Sequence, residues 1–124
     1  MFRVNEDLSI YLTRGDAVSI DLTAASDGAA YTFRAGDIVR FKVFEKKACN
    51  CVVLSKDFQA EAESQSVAIT LTGQDTKIGE EISKPKDYWY EVELNPDTKP
   101  QTIVGYDEDG AKVFRLYPEG GEMW

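Results

Sequence analysis

The chain has 124 residues, of which 43% are hydrophobic, 11% aromatic and 29% charged. This length suits one domain that can bury a core without metals or disulfides, and the hydrophobic content argues against wholesale disorder. Because 22 acidic residues outnumber 14 basic ones, the net charge of −8 argues against nucleic acid and against anionic membranes as partners.

A period of two residues dominates the first third of the chain. Apolar and polar residues alternate over residues 8–12 and again over residues 18–22, which predicts two half-buried strands. Arg14-Gly15-Asp16 between them indicates a turn or a strand switch. A loop is predicted over residues 24–30, around a Ser-Asp-Gly sequence, and a short edge strand over residues 31–33.

The middle of the chain continues this alternation. Residues 39–44 and 52–58 predict two paired strands, connected by a hairpin over residues 45–50. Residues 59–65 have helical propensity but lack an apolar stripe, so we expect a solvated turn there, with a short helix as the alternative. The clearest alternation of all follows at residues 67–71.

The last third combines a helical turn with three strands. Asp75 can cap a helical turn that runs through Ile78, since its side chain can accept hydrogen bonds from unpaired N–H groups. Residues 88–94 alternate strongly and predict a strand. Strands at residues 102–106 and 112–117 follow, and the Asp-Gly sequence between them predicts a hairpin turn, because both residues tolerate positive φ.

Strands at this spacing, separated by turn residues, predict an all-β, immunoglobulin-like antiparallel sandwich of seven or eight strands. A parallel βαβ arrangement needs intervening helices of about ten or more residues, and the sequence offers no clear segment for one. Residues 1–118 are expected to form one domain and residues 119–124 a flexible C-terminal tail. Six residues on the three clearest strands are predicted to be buried: Phe41, Val43, Ile69, Leu71, Tyr90 and Val92.

The only cysteines are Cys49 and Cys51. In an extended strand, two residues at this spacing have Cα atoms about 6.5–7 Å apart, at the upper limit for a disulfide. A bridge between them is possible in a turn but is not favoured, so we expect two free thiols near a hairpin end, as suits a reducing compartment. A metal site is not expected, because zinc would need further ligands and the chain contains no histidine.

The common sequence signatures of catalysis are missing. Without histidine, Ser-His and Cys-His nucleophile pairs cannot form, and no glycine-rich phosphate-binding motif occurs. The pairs Glu91/Glu93 and Asp107/Asp109 offer carboxylates to a hydrolase, and the second pair faintly resembles part of a calcium loop. A solvated strand face and a hairpin turn also account for them. We expect a protein that is not an enzyme and that carries no cofactor and no metal.

Three aromatic residues at outward-facing strand positions are candidates for an interface: Trp89, Phe44 and Tyr11. Trp89 lies between Tyr88 and Tyr90, which are predicted to fill the core, with a corner position before the strand as the alternative for Tyr88. An outward tryptophan is costly to leave in water. A partner protein, a sugar ring or a neighbouring strand could each cover it.

No targeting or membrane segment is expected. Residues 1–15 contain four charged residues and no apolar stretch of the kind that signal peptides have. No apolar run approaches the roughly 18 residues of a membrane span. The chain is therefore expected to fold in the cytoplasm, without a signal peptide.

Five short segments follow one another in a recognisable order: Leu12-Thr13-Arg14-Gly15-Asp16, Ala35-Gly36-Asp37-Ile38-Val39-Arg40-Phe41-Lys42-Val43, Ile69-Thr70-Leu71-Thr72-Gly73-Gln74-Asp75-Thr76, Tyr88-Trp89-Tyr90-Glu91-Val92-Glu93-Leu94 and Thr102-Ile103-Val104. This order resembles the small immunoglobulin-like proteins encoded among tail and baseplate genes of phages and prophages of Gram-positive bacteria. It also resembles the N-terminal domains of baseplate upper proteins. The resemblance covers residues 8–117. The chain departs from the family pattern at Lys84-Pro85-Lys86-Asp87, where a glycine usually precedes the Tyr-x-Tyr strand.

The resemblance implies a non-enzymatic structural or assembly module of a phage or prophage virion, in the tail, baseplate or neck. It implies contacts with other copies of itself or with other virion proteins, synthesis in the host cytoplasm and assembly into the virion. The family brings no catalytic residues to this chain. The alternative from another class is a carbohydrate-binding β-sandwich module that uses exposed aromatic residues such as Trp89.

Overall fold

The computed structural model describes residues 2–23, 25–26, 29–46, 51–80, 82–98, 101–104 and 111–119. Across these ranges the chain forms eleven strands and one helical turn, α1, at Gly73–Thr76. The strands are β1 Phe2–Val4, β2 Ile10–Thr13, β3 Val18–Leu22, β4 Ala25–Ser26, β5 Ala29–Ala30, β6 Ile38–Phe44, β7 Val52–Gln59, β8 Val67–Leu71, β9 Lys86–Leu94, β10 Gln101–Val104 and β11 Lys112–Tyr117.

The strands form a large sheet and a small sheet that pack as a sandwich. The large sheet has the order β1-β2-β11-β9-β6-β7, and β10 also pairs with β9. The small sheet consists of β3 and β8, while β4 and β5 form a separate two-residue pair. The predicted all-β sandwich is therefore confirmed. One pair departs from the antiparallel pattern, because β2 and β11 run parallel.

One core lies between the two sheets. Alternate residues of β6 and β9 point towards the small sheet and are buried, and alternate residues of β3 and β8 meet them from the other side. All six residues predicted to be buried are at most 4% exposed. Phe41 stacks on Tyr90, with 5.3 Å between the ring centroids, and meets the edge of Phe114 at 6.0 Å. Three adjacent strands thus contribute an aromatic cluster to this core.

The predicted hairpin between β10 and β11 is wrong. Both strands pair with the same edge of β9: Val104 lies opposite Val92, and Lys112 lies opposite Tyr90. They run in the same direction and act as two parts of one interrupted strand. An Asp-Gly sequence permits a chain reversal but does not require one, and the nine-residue β9 is long enough to pair with both strands. The turn residues 107–110 themselves lie outside the described residues.

Arg14, directly after β2, is buried and links three parts of the chain. Its guanidinium donates hydrogen bonds to the carbonyl oxygens of Ile78 (3.2 Å) and Gly79 (2.7 Å) and forms an ion pair with Glu119 (2.6 Å). Glu119 is the first residue of the predicted flexible tail, and this ion pair connects it to the domain. Residues 120–124 of the predicted tail lie outside the described residues.

The predicted helical turn is present, with a different capping residue. The hydroxyl of Thr72 accepts a hydrogen bond from the N–H of Asp75 (3.1 Å), and the Asp75 carboxylate accepts one from the N–H of Thr72 (2.8 Å). This reciprocal arrangement is a capping box, in which Thr72 is the N-cap. Asp75 also forms an ion pair with Lys56 of β7 (2.6 Å). The ion pair connects the start of α1 to the edge of the large sheet.

The segment after β7 forms a turn, which the sequence favoured over a short helix. Within it, Ala60 is buried, and Ser64 forms an isolated β-bridge with Phe33. The two backbone hydrogen bonds of this bridge measure 2.7 and 3.0 Å. The predicted edge strand at residues 31–33 is thus reduced to a single bridge that fixes the fully buried Phe33.

The prediction of two free thiols is wrong, because Cys51 is disulfide-bonded. The only other cysteine of the chain is Cys49, which lies outside the described residues. Cys51 precedes β7, and its carbonyl accepts a hydrogen bond from the N–H of Glu45 (3.0 Å) at the base of the hairpin connection. The prediction assumed the spacing of an extended strand, whereas a turn can bring residues two positions apart closer together.

We expect Leu71→Ala to lower the free energy of unfolding by about 2–5 kcal/mol, because Leu71 is fully buried between the sheets and its truncation leaves a cavity. Urea denaturation would measure the loss. Thr70→Ala on the exposed face of the same strand is the control and should change stability by about 0.5 kcal/mol or less. A similarly small loss in Leu71→Ala would contradict the assigned core.

Reduction of the disulfide should cost only about 1–2 kcal/mol, since a very short closed loop removes little freedom from the unfolded chain. Denaturation with and without a reductant would measure this difference, and a variant with serine at both cysteine positions should not respond to reductant. Before reduction, the peptide that contains Cys49 and Cys51 should be two hydrogen masses lighter. Alkylation of both cysteines in the native, unreduced protein would contradict the bond.

Candidate interaction face

One face of the large sheet points away from β3 and β8, and we call it the outer face. Side chains of a strand alternate between the two faces of a sheet, and residues paired across strands share a face. The buried residues of β9 lie on the inner side, so Trp89, Glu91 and Glu93 lie on the outer face, where they pair with Phe44, Lys42 and Arg40 of β6. Within the described ranges, the sheet that carries this face has seven strands.

Four apolar residues form a row across the outer face, which we call the apolar row. Val113 of β11 pairs with Trp89 of β9, Trp89 pairs with Phe44 of β6, and Phe44 pairs with Val52 of β7. Trp89 and Val113 are half-buried, Val52 is 44% exposed, and Phe44 is 8% exposed. Val53, which has no opposite residue because of a β-bulge, is 39% exposed. The apolar row therefore crosses four adjacent strands.

On one side of the apolar row lie two basic and four acidic residues, which we call the acidic flank: Arg40, Lys42, Asp57, Glu91, Glu93 and Asp97. Lys42 forms ion pairs with both Glu91 (3.4 Å) and Glu93. Burial lowers the pKa of Lys42, but the hydrogen bond and charge of Glu93, with the charge of Glu91, raise it overall. One ammonium group thus serves two carboxylates.

Arg40 lies at the end of the acidic flank that is farther from the apolar row. Its guanidinium donates hydrogen bonds to both carboxylate oxygens of Asp57, at 2.7 and 3.0 Å, and to both oxygens of Asp97, at 3.1 and 3.4 Å. The hydrogen bonds that Arg40 donates, first to Asp57 and then to Asp97, raise its pKa further above the ordinary value. The flank carries two net negative charges, so its ion pairs leave acidic groups in excess.

On the other side of the apolar row lies the basic flank, which comprises Arg3, Tyr11, Asp87 and Arg115. Arg115 bonds the carboxylate of Asp87 at 2.5 and 3.2 Å, and its guanidinium carbon lies 4.7 Å from the centroid of the Tyr11 ring. Arg3 lies 5.7 Å from the same ring. Two cation–π contacts therefore surround Tyr11, and the flank carries one net positive charge.

The three predicted interface residues all lie on the outer face but differ in what they offer to a partner. Trp89 and Phe44 are neighbours in the apolar row, and Phe44 is almost covered, with the Lys42 ammonium 5.7 Å from its ring centroid. Tyr11 is half-buried, and it stands apart from the row in the basic flank. Sequence reasoning missed Val113 and Val52, because it predicted the strands on which they lie but not the register that places them in line with Trp89.

The two tyrosines beside Trp89 belong to the core, as predicted. Tyr88 is 2% exposed and Tyr90 4% exposed. The Tyr90 hydroxyl donates a 2.5 Å hydrogen bond to the carbonyl of Leu8, a residue that has a positive φ of 74°. Burial raises the pKa of Tyr90 strongly. Tyr90 is thus a core residue that also fixes the turn before β2.

The structure describes one of the two carboxylate pairs that were considered for catalysis. Glu91 and Glu93 share Lys42 on a solvent-facing strand surface, while Asp107 and Asp109 lie outside the described residues. Within the described ranges, no cluster of three or more His, Cys, Asp or Glu side chains has the geometry to hold a metal ion. The helical turn in these ranges is far too short to cross a membrane.

Comparison of the chain with protein-family models, with curated proteins and with solved structures finds no match.

Acid should destabilise the fold below about pH 4, because two aspartates with a lowered pKa are part of ion pairs. The hydrogen bond from Arg40 lowers the pKa of Asp57, and that from Lys56 lowers the pKa of Asp75, in each case from 3.8. A carboxyl group whose folded pKa lies below its unfolded value stabilises the fold above the unfolded pKa. That stabilisation disappears as the pH falls through the folded pKa.

Urea denaturation between pH 7 and pH 2 would measure this loss. Asp75→Asn should make the decrease in unfolding free energy with falling pH shallower, because it removes one carboxyl group whose pKa is lowered in the folded protein. Asp21→Asn, on the exposed face of β3, is the control for the loss of a carboxylate. An unfolding free energy in the unmodified protein that rises as the pH falls below 4 would contradict the assignment.

Proposed function

We propose that this protein is a non-enzymatic assembly module whose outer face binds protein, and that it is a structural component of a phage or prophage virion. The apolar row between two charged flanks is the observation that carries the protein-binding part. The virion part, in a tail, baseplate or neck, rests on the order of sequence motifs, and an immunoglobulin-like sandwich is compatible with it.

The layout of the outer face suits a protein partner. Adjacent strands lie about 4.8 Å apart, so a row that crosses four strands extends over about 15 Å. Protein interfaces commonly have an apolar centre with a polar rim, and Trp89 with Val113 and Val52 between the two flanks has this layout. Tryptophan is also among the residues most often found at the energetic centre of interfaces. Trp89 is therefore the expected anchor.

A carbohydrate-binding module is the second candidate, and the half-buried indole of Trp89 is the observation that favours it. A sugar ring that stacks on Trp89 would use this residue and nearby polar groups. It would not require Val52, which lies two strands away at the edge of the sheet. The two functions therefore differ in their dependence on the end of the apolar row.

Trp89→Ala should lower the mass of the assembly measured by light scattering, or abolish incorporation into virions, and should leave the β-sheet circular dichroism spectrum intact. The physical reason is the loss of an interface anchor, which commonly costs about 2 kcal/mol or more in binding. A folded variant that assembles like the unmodified protein would contradict this role.

Two aspartate substitutions separate the outer face from general surface effects. Val52 and Val4 are each 44% exposed on an edge strand of the large sheet, but only Val52 belongs to the apolar row. Val52→Asp should weaken assembly, and Val4→Asp should not. Equal effects of the two substitutions would refute the outer face as the binding surface. Glycan binding that Trp89→Ala removes and Val52→Asp leaves intact would favour the carbohydrate function instead.

A further inference from the structure

We infer that an extended strand of a partner protein binds in the cleft between the edge of β3 and the apolar side chains of β1, and adds to the small sheet as its third strand. The cleft lies on the side of the large sheet that faces away from the outer face. The inference therefore goes beyond the proposed function and does not depend on it. Addition of a strand to the edge of a sheet is an established way in which proteins recognise extended peptides.

β3 has an unpaired edge. Within the described ranges it pairs with β8 alone, so the small sheet has two strands where the large sheet has a row of six. A strand directs the backbone groups of alternate residues to opposite edges, so about half of the N–H and C=O groups of β3 have no β-sheet partner in this part of the chain. Ile20 at the middle of β3 is only half-buried, whereas Val18 and Leu22 at its ends are buried.

The other edge of the small sheet is closed by a side chain. Lys56 of β7 donates a hydrogen bond to the carbonyl of Thr70 in β8 (3.1 Å) and forms an ion pair with Asp75. An inward-pointing charge at a sheet edge opposes pairing with a further strand. The same contact places β8 beside β7, so β3 lies towards the opposite edge of the large sheet, which ends in β1.

β1 provides the apolar floor of the cleft. Its Phe2 and Val4 pair with Leu12 and Ile10 of β2, whose buried side chains point to the small sheet. Paired residues share a face, so Phe2 and Val4 point to the same side. They are nevertheless 43% and 44% exposed, because the two strands of the small sheet do not extend over them. The cleft thus combines unpaired backbone groups with an apolar floor.

These two surfaces specify the chemistry of the occupant. An extended backbone can bond to the edge of β3, and every second side chain then points to Phe2 and Val4 and must be apolar. Five residues, the length of β3, span about 17 Å. The intervening side chains lie beside Ser19 and Asp21, on the exposed face of β3. Residues 16–33 include three aspartates and no basic residue, so a lysine or arginine is favoured at these positions.

A synthetic peptide of about nine residues, whose centre alternates valine and isoleucine with two lysines, tests the cleft. Isothermal titration calorimetry should detect its binding. Val4→Asp and Phe2→Asp should each raise the Kd at least about tenfold, because they place a charge on the apolar floor. Val52→Asp, equally exposed at the other edge of the large sheet, is the control and should leave the Kd unchanged. Circular dichroism would verify that each variant is folded.

Backbone methylation separates strand addition from unspecific apolar contact. An N-methyl group removes an N–H donor and leaves the side chain in place. Methylation of the alternate peptide residues whose N–H groups face β3 should abolish binding, because these groups pair with the edge of β3. Methylation of the intervening residues, whose N–H groups point away from β3, should leave the Kd within about threefold. Equal affinities of the two methylated peptides would overturn the inference.

A charge reversal tests the placement beside Asp21. The unmodified protein should prefer the lysine peptide to a peptide with two glutamates in the same positions. Asp21→Lys should lower this preference at least about threefold, because it removes the attraction across the strands. Glu63→Lys, in the exposed segment after β7, changes the net charge equally and should leave the preference unchanged. An equal decrease in both variants would contradict the placement.

The outcomes are independent of those for the outer face. No binding of the lysine peptide at about 1 mM would overturn the strand-binding cleft and would leave the predictions for Trp89 and Val52 as they stand. A lower mass of the assembly in Val4→Asp would overturn the partner strand in favour of a second copy. If Val52→Asp assembled like the unmodified protein, the outer face would be refuted, and the cleft would still stand if Val4→Asp weakened peptide binding.

Discussion

The alternation of β9 is the constraint on which the rest of the structure depends. This strand pairs with β6 on one edge and with β10 and β11 on the other, so it occupies the middle of the large sheet. Its residues 88, 90, 92 and 94 are buried, and the odd-numbered residues between them form the centre of the outer face. A shift by one residue would exchange the two sets. Burial of the core residues therefore fixes the register of β9. This register also determines the positions of Trp89, Glu91 and Glu93 on the outer face.

Much of the architecture could be predicted from side-chain alternation alone. Residues 67–71 and 88–94 alternate so regularly that both the strands and their buried faces followed from the sequence. The helical turn after Thr72 was predicted from a polar residue able to accept backbone hydrogen bonds, although the structure places Thr72 and not Asp75 at the cap. The outward position of Trp89 followed from the same alternation, which identified the centre of the candidate interaction face but not its extent.

The features that sequence reasoning missed depend on contacts between distant segments. The Asp-Gly sequence near residue 110 describes local backbone preference, whereas the pairing of β10 and β11 is decided by the free edge of β9. The parallel pairing of β2 with β11 joins residues more than one hundred positions apart, and no local pattern specifies it. The apolar row also depends on contacts between distant segments, because its four residues come from four different strands. Val113 and Val52 can be recognised as part of the apolar row only when the strand register shows that they lie in line with Trp89.

The interrupted strand formed by β10 and β11 has a consequence for how this protein can change. Val104, the last residue of β10, lies opposite Val92, and Lys112, the first residue of β11, lies opposite Tyr90, two positions that are about 7 Å apart along a strand. The sheet fixes both ends of the intervening segment, so its length is not coupled to the register on either side. Each doubling of a flexible loop costs only about 0.6 kcal/mol in closure entropy. We therefore expect this position to accept inserted sequence, such as an epitope or a small binding loop, without a change in the sandwich.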